Sequence, residues 1–230
     1  MNIGFFDSGL GGLTIMRSVV KAMPEYDYTF YGDTKHVPYG DRPESEVFEL
    51  TKAGVSYLFE NGAVLVVLAC NSASAETLRK LQDEFIPSQY PGRNLLGVVV
   101  PTIEAVVESG LRNITLIATR RTIESGKYER LFEETAPGSI SLSGIQTPEL
   151  VPFIETGDIG AATQAAIMRI DSTDSVPEGI ILGCTHYTEL AASLREHYGA
   201  GCRVFTQDEI IPAKLADYLS RHPEYAERIT

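Results

Sequence analysis

The stretch Ala63-Val64-Leu65-Val66-Val67-Leu68-Ala69-Cys70-Asn71-Ser72 decides the fold. Its apolar run, from Ala63 to Cys70, is rich in β-branched valine and too short to cross a bilayer. It therefore reads as a strand buried on both faces of a parallel sheet. Asn71 and Ser72 then open a helix reaching Leu78-Arg79, because short polar side chains satisfy the free amides of a helix start. The same alternation continues outward, with strands at 3–6, 28–31, 63–69, 95–100, 114–118, 140–142, 179–182 and 203–205 and helical stretches between them. That is the pattern of an α/β protein with mostly parallel strands. Leu13, Met16, Val20 and Met23 recur at helical spacing and predict the apolar face of the first helix, which Pro24 stops. Pro43 opens a second helix with Val47, Leu50, Gly54 and Leu58 along one side, ending near Asn61-Gly62.

A second stretch, Gly183-Cys184-Thr185-His186, repeats the arrangement: a strand ends, a cysteine follows, and a helix runs on to Leu194-Arg195. The upstream strand ends match as well. Asp7-Ser8 precedes Cys70 by nearly the same interval as Ala118-Thr119 precedes Cys184. Ligands of open α/β sheets bind at the carboxyl ends of strands. Two similar domains, meeting near 96–101, would bring these four strand ends to one cleft.

Composition limits the partners. The 230 residues are 43% hydrophobic with a net charge of −12, so the surface field opposes nucleic acid and anionic membranes. No run is long enough to span a membrane and Asp7 interrupts the apolar start, which points to a soluble, cytoplasmic protein. The three cysteines, Cys70, Cys184 and Cys202, include no CxxC pair and suggest neither a disulfide scaffold nor a zinc clip.

Asp7-Ser8-Gly9-Leu10-Gly11-Gly12 is a glycine-rich turn whose backbone amides suit a carboxylate or phosphate. It fits a dinucleotide fingerprint only in part: Thr14 stands where a small residue is needed, although Asp33 lies near the expected acidic position. Cys70 and Cys184 each sit at a predicted helix start, where free amides favour a thiolate. One such cysteine is most simply an inert buried residue; two in matched contexts ask for a joint role. Cys-x5-Arg phosphatase chemistry is excluded by Glu76 and Leu190, and a papain-type pair leaves the second cysteine unexplained. Cys184-x-His186 is too sparse for zinc. Two thiols across a cleft suit proton removal from one face of a carbon and proton return to the other, with an adjacent carboxylate stabilised by amides and hydroxyls. Asp7 and His186 would tune the two thiols. Cys202 is in no such context and reads as structural.

These motifs, together with Tyr31-Gly32-Asp33-Thr34, Val37-Pro38-Tyr39-Gly40, 119–128 and Leu182-Gly183-Cys184-Thr185-His186-Tyr187, resemble the cofactor-independent glutamate racemases of the aspartate/glutamate racemase superfamily. The resemblance runs from Ile3 to about Thr188. It implies two similar three-layer α/β domains with mostly parallel sheets, pseudo-twofold related, with the active site in the cleft between them. Their bounds would be 1–97 plus 207–230 and 98–206, the last helix returning to the first domain. It places the catalytic cysteines on Cys70 and Cys184 and the assisting groups on Asp7 and His186. Substrate contacts fall on Asp7, Ser8, Tyr39, Gly40, Asn71, Ser72, Thr185 and His186, with Thr119, Thr122 and Glu155 as neighbours. It implies a glutamate substrate, no cofactor, no metal, and a role in supplying D-glutamate for peptidoglycan. A homodimer stays open, as do two other readings: an aspartate or other amino-acid racemase, and an idle amino-acid-binding or regulatory protein. Two departures stand out. Ser72 replaces the usual threonine, and Phe205-Thr206-Gln207-Asp208 replaces the usual Ile-Asp-Ser-Gly.

Overall fold

In the computed structural model, which describes residues 1–173 and 176–229, the run that leads to Cys70 forms strand β3 (Ala63–Leu68), buried at every position. It lies between β1 (Asn2–Asp7) and β4 (Asn94–Gly97), and β2 (Tyr28–Gly32) completes a parallel sheet in the order β2-β1-β3-β4. The second sheet uses β5 (Asn113–Ala118), β6 (Ser141–Gln146), β7 (Gly179–Gly183) and β8 (Arg203–Phe205) in the order β6-β5-β7-β8, again parallel. The sequence repeat is thus a repeat of topology, with β1 and β3 of one sheet matched by β5 and β7 of the other. Phe6 pairs with Leu68, and Ala118 with Gly183. In each sheet the two central strands therefore end side by side, delivering Asp7 and Cys70 in one and Thr119 and Cys184 in the other.

The helices are α1 (Gly12–Ala22), α2 (Glu44–Glu60), α3 (Asn71–Lys80), α4 (Ile86–Gln89), α5 (Val99–Ser109), α6 (Arg120–Glu124), α7 (Lys127–Thr135), α8 (Leu150–Glu155), α9 (Ile159–Asp171), α10 (Ala191–Tyr198), α11 (Gln207–Arg221) and α12 (Pro223–Ile229). One face of the first sheet packs Ile3, Phe5 and Leu65 against Ile15 and Val19 of α1 and Ile211, Leu215 and Leu219 of α11. Its other face packs Phe6 and Leu68 against Val47, Val55 and Leu58 of α2. The second sheet is covered by Ala162 and Ala166 of α9 with Leu194 of α10, and opposite by Ile103 and Val106 of α5 with Tyr128 and Phe132 of α7. Each half is therefore three layers deep. A buried Val, Leu, Ile or Phe contributes about 1.5–3 kcal/mol over an exposed one. These clusters, more than helix propensity, set where the helices lie. After β8 the chain crosses back, and α11 docks on the first sheet beside α1.

The structure corrects four expectations. The buried stripe of α1 is Gly12, Ile15 and Val19, continued by Met23 beyond the helix end; Val20 stays 36% exposed, and Leu13 and Met16 are half-buried. The helix is wedged between the sheet and α11, so two adjacent faces are apolar and spacing alone selected the wrong one. The apolar run 95–100 divides: β4 stops at Gly97 and Val99 opens α5. At Gly97 a Cβ would lie 2.2 Å from Ser74 Oγ, and Pro101 suits a first helical turn, where no backbone donor is needed. Strand β6 runs to Gln146, well past 142. As an edge strand paired only with β5 it carries half-exposed Ser143 and Gln146 and exposed Gly144, which mask its alternation. Finally, the segment after Cys184 is a 3-10 helix (Thr185–Leu190) that becomes regular only at α10. Among the described residues no helix is long and apolar enough to cross a membrane.

Candidate active site

Strand β1 ends on Asp7, which is fully buried. Its Oδ2 accepts hydrogen bonds from the amides of Gly9 at 3.2 Å and Gly12 at 3.1 Å, and its Oδ1 accepts one from the Thr185 hydroxyl at 3.3 Å. The glycine-rich turn thus gives two of its amides to this carboxylate, where the sequence assigned them to a ligand. Burial raises the Asp7 pKa, while the Gly12 amide, His186, the Gly9 amide and Thr185 hold it back.

Cys70 is the extended residue just before α3, with its thiol donating to Ser8 Oγ at 3.3 Å. Burial first and the Asp7 charge second push its pKa up to about 11, against the Ser8 hydroxyl and the amides of Ala73 and Ser8. The expected pull of the helix start toward a thiolate is present, and burial outweighs it. Cys184 is also raised, chiefly by burial and then by Cys70 and Asp7; the amides of His186 and Tyr187 oppose this. Tyr187 is fully buried and donates its hydroxyl to the Thr147 carbonyl at 2.8 Å, anchoring the 3-10 segment. The Cys184 sulfur lies 3.8 Å from His186 Nδ1, and His186 Nε2 lies 3.3 Å from Glu155 Oε1. The three side chains form a line from the interior to the surface.

The two halves meet through small groups. Ser72 Oγ lies 2.9 Å from Thr119 Oγ1 and 3.3 Å from Thr122 Oγ1, with the two threonine hydroxyls 3.1 Å apart. A Cβ on Gly40 would stand 2.6 Å from Thr119 Cβ, and one on Gly11 2.7 Å from Thr185 Oγ1, so only glycine allows either approach. Arg121 crosses the same boundary to donate to the Arg42 carbonyl at 3.1 Å. Tyr39 is held from behind: its hydroxyl donates to Asp33 Oδ2 at 2.7 Å, and the Asp33 carboxylate also meets His36 Nδ1 at 2.8 Å.

Ser8, Tyr39, Gly40, Cys70, Asn71 and Ser72 from the first half and Thr119, Cys184, Thr185 and His186 from the second line one cavity of about 20 Å³. Asp7, Thr122 and Glu155 stand behind this wall, bonded to Thr185, to Thr119 and Ser72, and to His186 respectively. Sequence reasoning missed Val37, Pro38, Val151 and Gly183 as lining residues. Val37 and Pro38 adjoin Tyr39 in a motif already noted, whereas Val151 gives no signal at all. Asp33, noted for a nucleotide, instead supports Tyr39. Cys202 packs in the core of the second half, away from the cavity. A larger cavity of about 400 Å³ lies among α3, α5, α7 and α11 and is lined by no cysteine. Among the described residues no group of three or more His, Cys, Asp or Glu side chains could hold a metal ion.

Two buried thiols brought to one cavity from matched strand ends invite comparison with known proteins. The Asp/Glu/Hydantoin racemase family model matches residues 33–207. The chain belongs to this family. A glutamate racemase of Ruegeria pomeroyi is 38% identical over 237 residues, covering 97% of this chain and 87% of the relative. Among solved structures, glutamate racemase from Thermus thermophilus, in complex with β-chloro-D-alanine, superposes with a TM-score of 0.82 at 30% identity, covering 97% of this chain and 82% of that one. The glutamate racemase isoform RacE1 from Bacillus anthracis gives 0.86 at 28%, covering 96% and 82%. Membership in the racemase family extends past the model match to the Asp7 turn, because these alignments take in nearly the whole chain.

Proposed function

We propose that this racemase interconverts L- and D-glutamate without a cofactor, by moving a proton between Cys70 and Cys184 across the α-carbon. The carrying observation is that these buried thiols, one from each sheet, line the same cavity. In one direction the Cys70 thiolate takes the α-proton as the Cα–H bond breaks, and the Cys184 thiol delivers its own proton to the opposite face, leaving a thiolate there. The reverse direction exchanges their roles, and nothing is oxidised or reduced. Negative charge building on the substrate carboxylate is met by the hydroxyls and amides of Ser8, Ser72, Thr119 and Thr185 and by the Asn71 amide. Asp7 serves the Cys70 side, and His186, backed by Glu155, the Cys184 side. The relatives' activity supports glutamate as substrate, and the β-chloro-D-alanine bound by the Thermus enzyme supports an amino acid in such a cavity.

A cavity of about 20 Å³ holds roughly one water. Glutamate enters only once the halves part at the Ser72, Thr119 and Thr122 hydroxyls and at Arg121. We assign those halves as 1–97 plus 207–230 and 98–206; residues 174, 175 and 230 lie outside the described residues. The D-glutamate would serve peptidoglycan synthesis in the cytoplasm. The test is incubation with L-glutamate or L-aspartate in heavy water, reading chirality and deuterium at the α-carbon. Racemisation with deuterium incorporation from glutamate is expected; activity on aspartate alone would replace the substrate, and neither signal with either amino acid would reject the enzyme. Cys70→Ser and Cys184→Ser should each abolish racemisation, and near-normal turnover in either would refute the two-base scheme.

A further inference from the structure

Asn71, the residue after Cys70, has its side chain held by two residues that come from distant parts of the chain. Gln207, the first residue of α11, forms a reciprocal amide pair with it: Asn71 Nδ2 donates to Gln207 Oε1 at 2.8 Å, and Gln207 Nε2 donates to Asn71 Oδ1 at 2.7 Å. The Tyr128 hydroxyl of α7 donates to the same Oδ1 at 2.9 Å. All three are sealed from solvent, with Asn71 2%, Gln207 3% and Tyr128 0% exposed. A carbonyl oxygen has two lone pairs and an amide nitrogen two hydrogens. Both lone pairs of Oδ1 are taken, so the one unshared hydrogen-bonding group of the Asn71 amide is an N–H, and Asn71 lines the cavity. Were the amide turned over, an acceptor would stand in its place, with the wrong polarity for a carboxylate.

We propose that Gln207 is a positioning residue for racemisation, locking the Asn71 amide so that it offers a donor to the substrate carboxylate. Gln207 lies in the segment Phe205-Thr206-Gln207-Asp208, where the chain departs from the pattern of the racemases it resembles. The inference rests on the glutamate racemase reading above and adds a specific use for that departure. It also ties α11 to the residue beside Cys70. Thr206 is extended and buried, so α11 must start at Gln207 with its side chain turned inward.

The test is a double-mutant cycle with Gln207→Met, which is close in volume and makes no amide pair, alone and combined with Asn71→Ala. Chirality assays with glutamate give KM and kcat for each protein. Gln207→Met should raise KM about tenfold, the scale of one hydrogen bond to a charged group, and leave kcat within about twofold, because ground-state and transition-state binding suffer alike. In the Asn71→Ala background the same substitution should change KM less than about twofold, since the group it orients is gone. An unchanged KM in the first comparison, or a logarithmic effect at least half as large in the second, overturns the proposal; any smaller second effect supports it. Tyr128→Phe, which removes the other bond to Oδ1 together with the hydroxyl's contacts to Gln207 and Thr102, runs through the same cycle and carries the test should Gln207→Met not fold. Absence of racemisation by the unmodified protein would reject the function itself, and calorimetric glutamate affinities of the same variants would then read the Gln207 effect separately.

Discussion

The state of the Cys70 thiol in the free protein is the sharpest quantity the site offers. With the pKa pushed from 9.0 up to about 11, the thiolate fraction at pH 8 falls from about 10% to about 0.1%. A more basic thiolate is also a better nucleophile; a Brønsted slope of about 0.4–0.5 returns about six- to tenfold for a pKa raised by two. The net slowing of alkylation against an ordinary thiol is then about tenfold, and restricted access to a residue only 5% exposed adds to it. An absolute rate would therefore confound ionisation with access, while the pH dependence reports ionisation alone. The assay is iodoacetamide labelling of a Cys184→Ser, Cys202→Ser protein from pH 6.5 to 10, followed by mass spectrometry of the peptide containing Cys70. The logarithm of the rate should climb with unit slope across the whole range. A plateau below pH 9 would show that the Ser8 and Ala73 amides outweigh burial and the Asp7 charge, and would refute the reasoning.

Two further substitutions probe how the halves and the outer groups contribute. Gly40→Ala places a methyl against Thr119 where the halves touch; overpacking of about 1–3 kcal/mol should lower the melting temperature by about 2–12 °C, and an unchanged melting curve would mean the contact yields freely. Glu155→Gln removes the charge facing His186 from a side chain 42% exposed, so the loss in kcat should stay within about fivefold; a hundredfold loss would place Glu155 inside the chemistry.

Much of this arrangement was legible because strands buried on both faces leave an unmistakable trace. Ala63 to Leu68 has no polar residue, and the chain changes character abruptly at Asn71, so the strand, its end and the helix start could all be read together. The second thiol followed from the same pattern in β7. The 3-10 segment after Cys184 was hidden, because Tyr187 and its bond to Thr147 are tertiary facts with no local signature. The face of α1 was misread for a related reason: α11 arrives from nearly two hundred residues away in sequence, and its burial of a second stripe is invisible in the spacing of Leu13 to Met23. Gln207 illustrates the limit most clearly. Its partner Asn71, and Tyr128 that shares the same amide oxygen, lie on other helices, and a glutamine at a helix start ordinarily faces solvent.

The net charge of −12 and an anionic substrate are reconciled by distance and screening. Charges on the surface act through water and salt, where interactions fade beyond about 8 Å at physiological ionic strength. Groups inside the cavity act at hydrogen-bond range in a medium of low polarity, where each aligned donor counts for far more. Of the acidic side chains buried beside the cavity, Asp33 is taken up by Tyr39 and His36, and Asp7 is met by two amides and a hydroxyl, with His186 near, and burial has already raised its pKa. A glutamate carboxylate arriving next to it would raise that pKa further, since like charges favour the neutral form. Proton uptake at Asp7 would therefore relieve the repulsion locally, and the sign of the distant surface would matter little to whether the substrate binds.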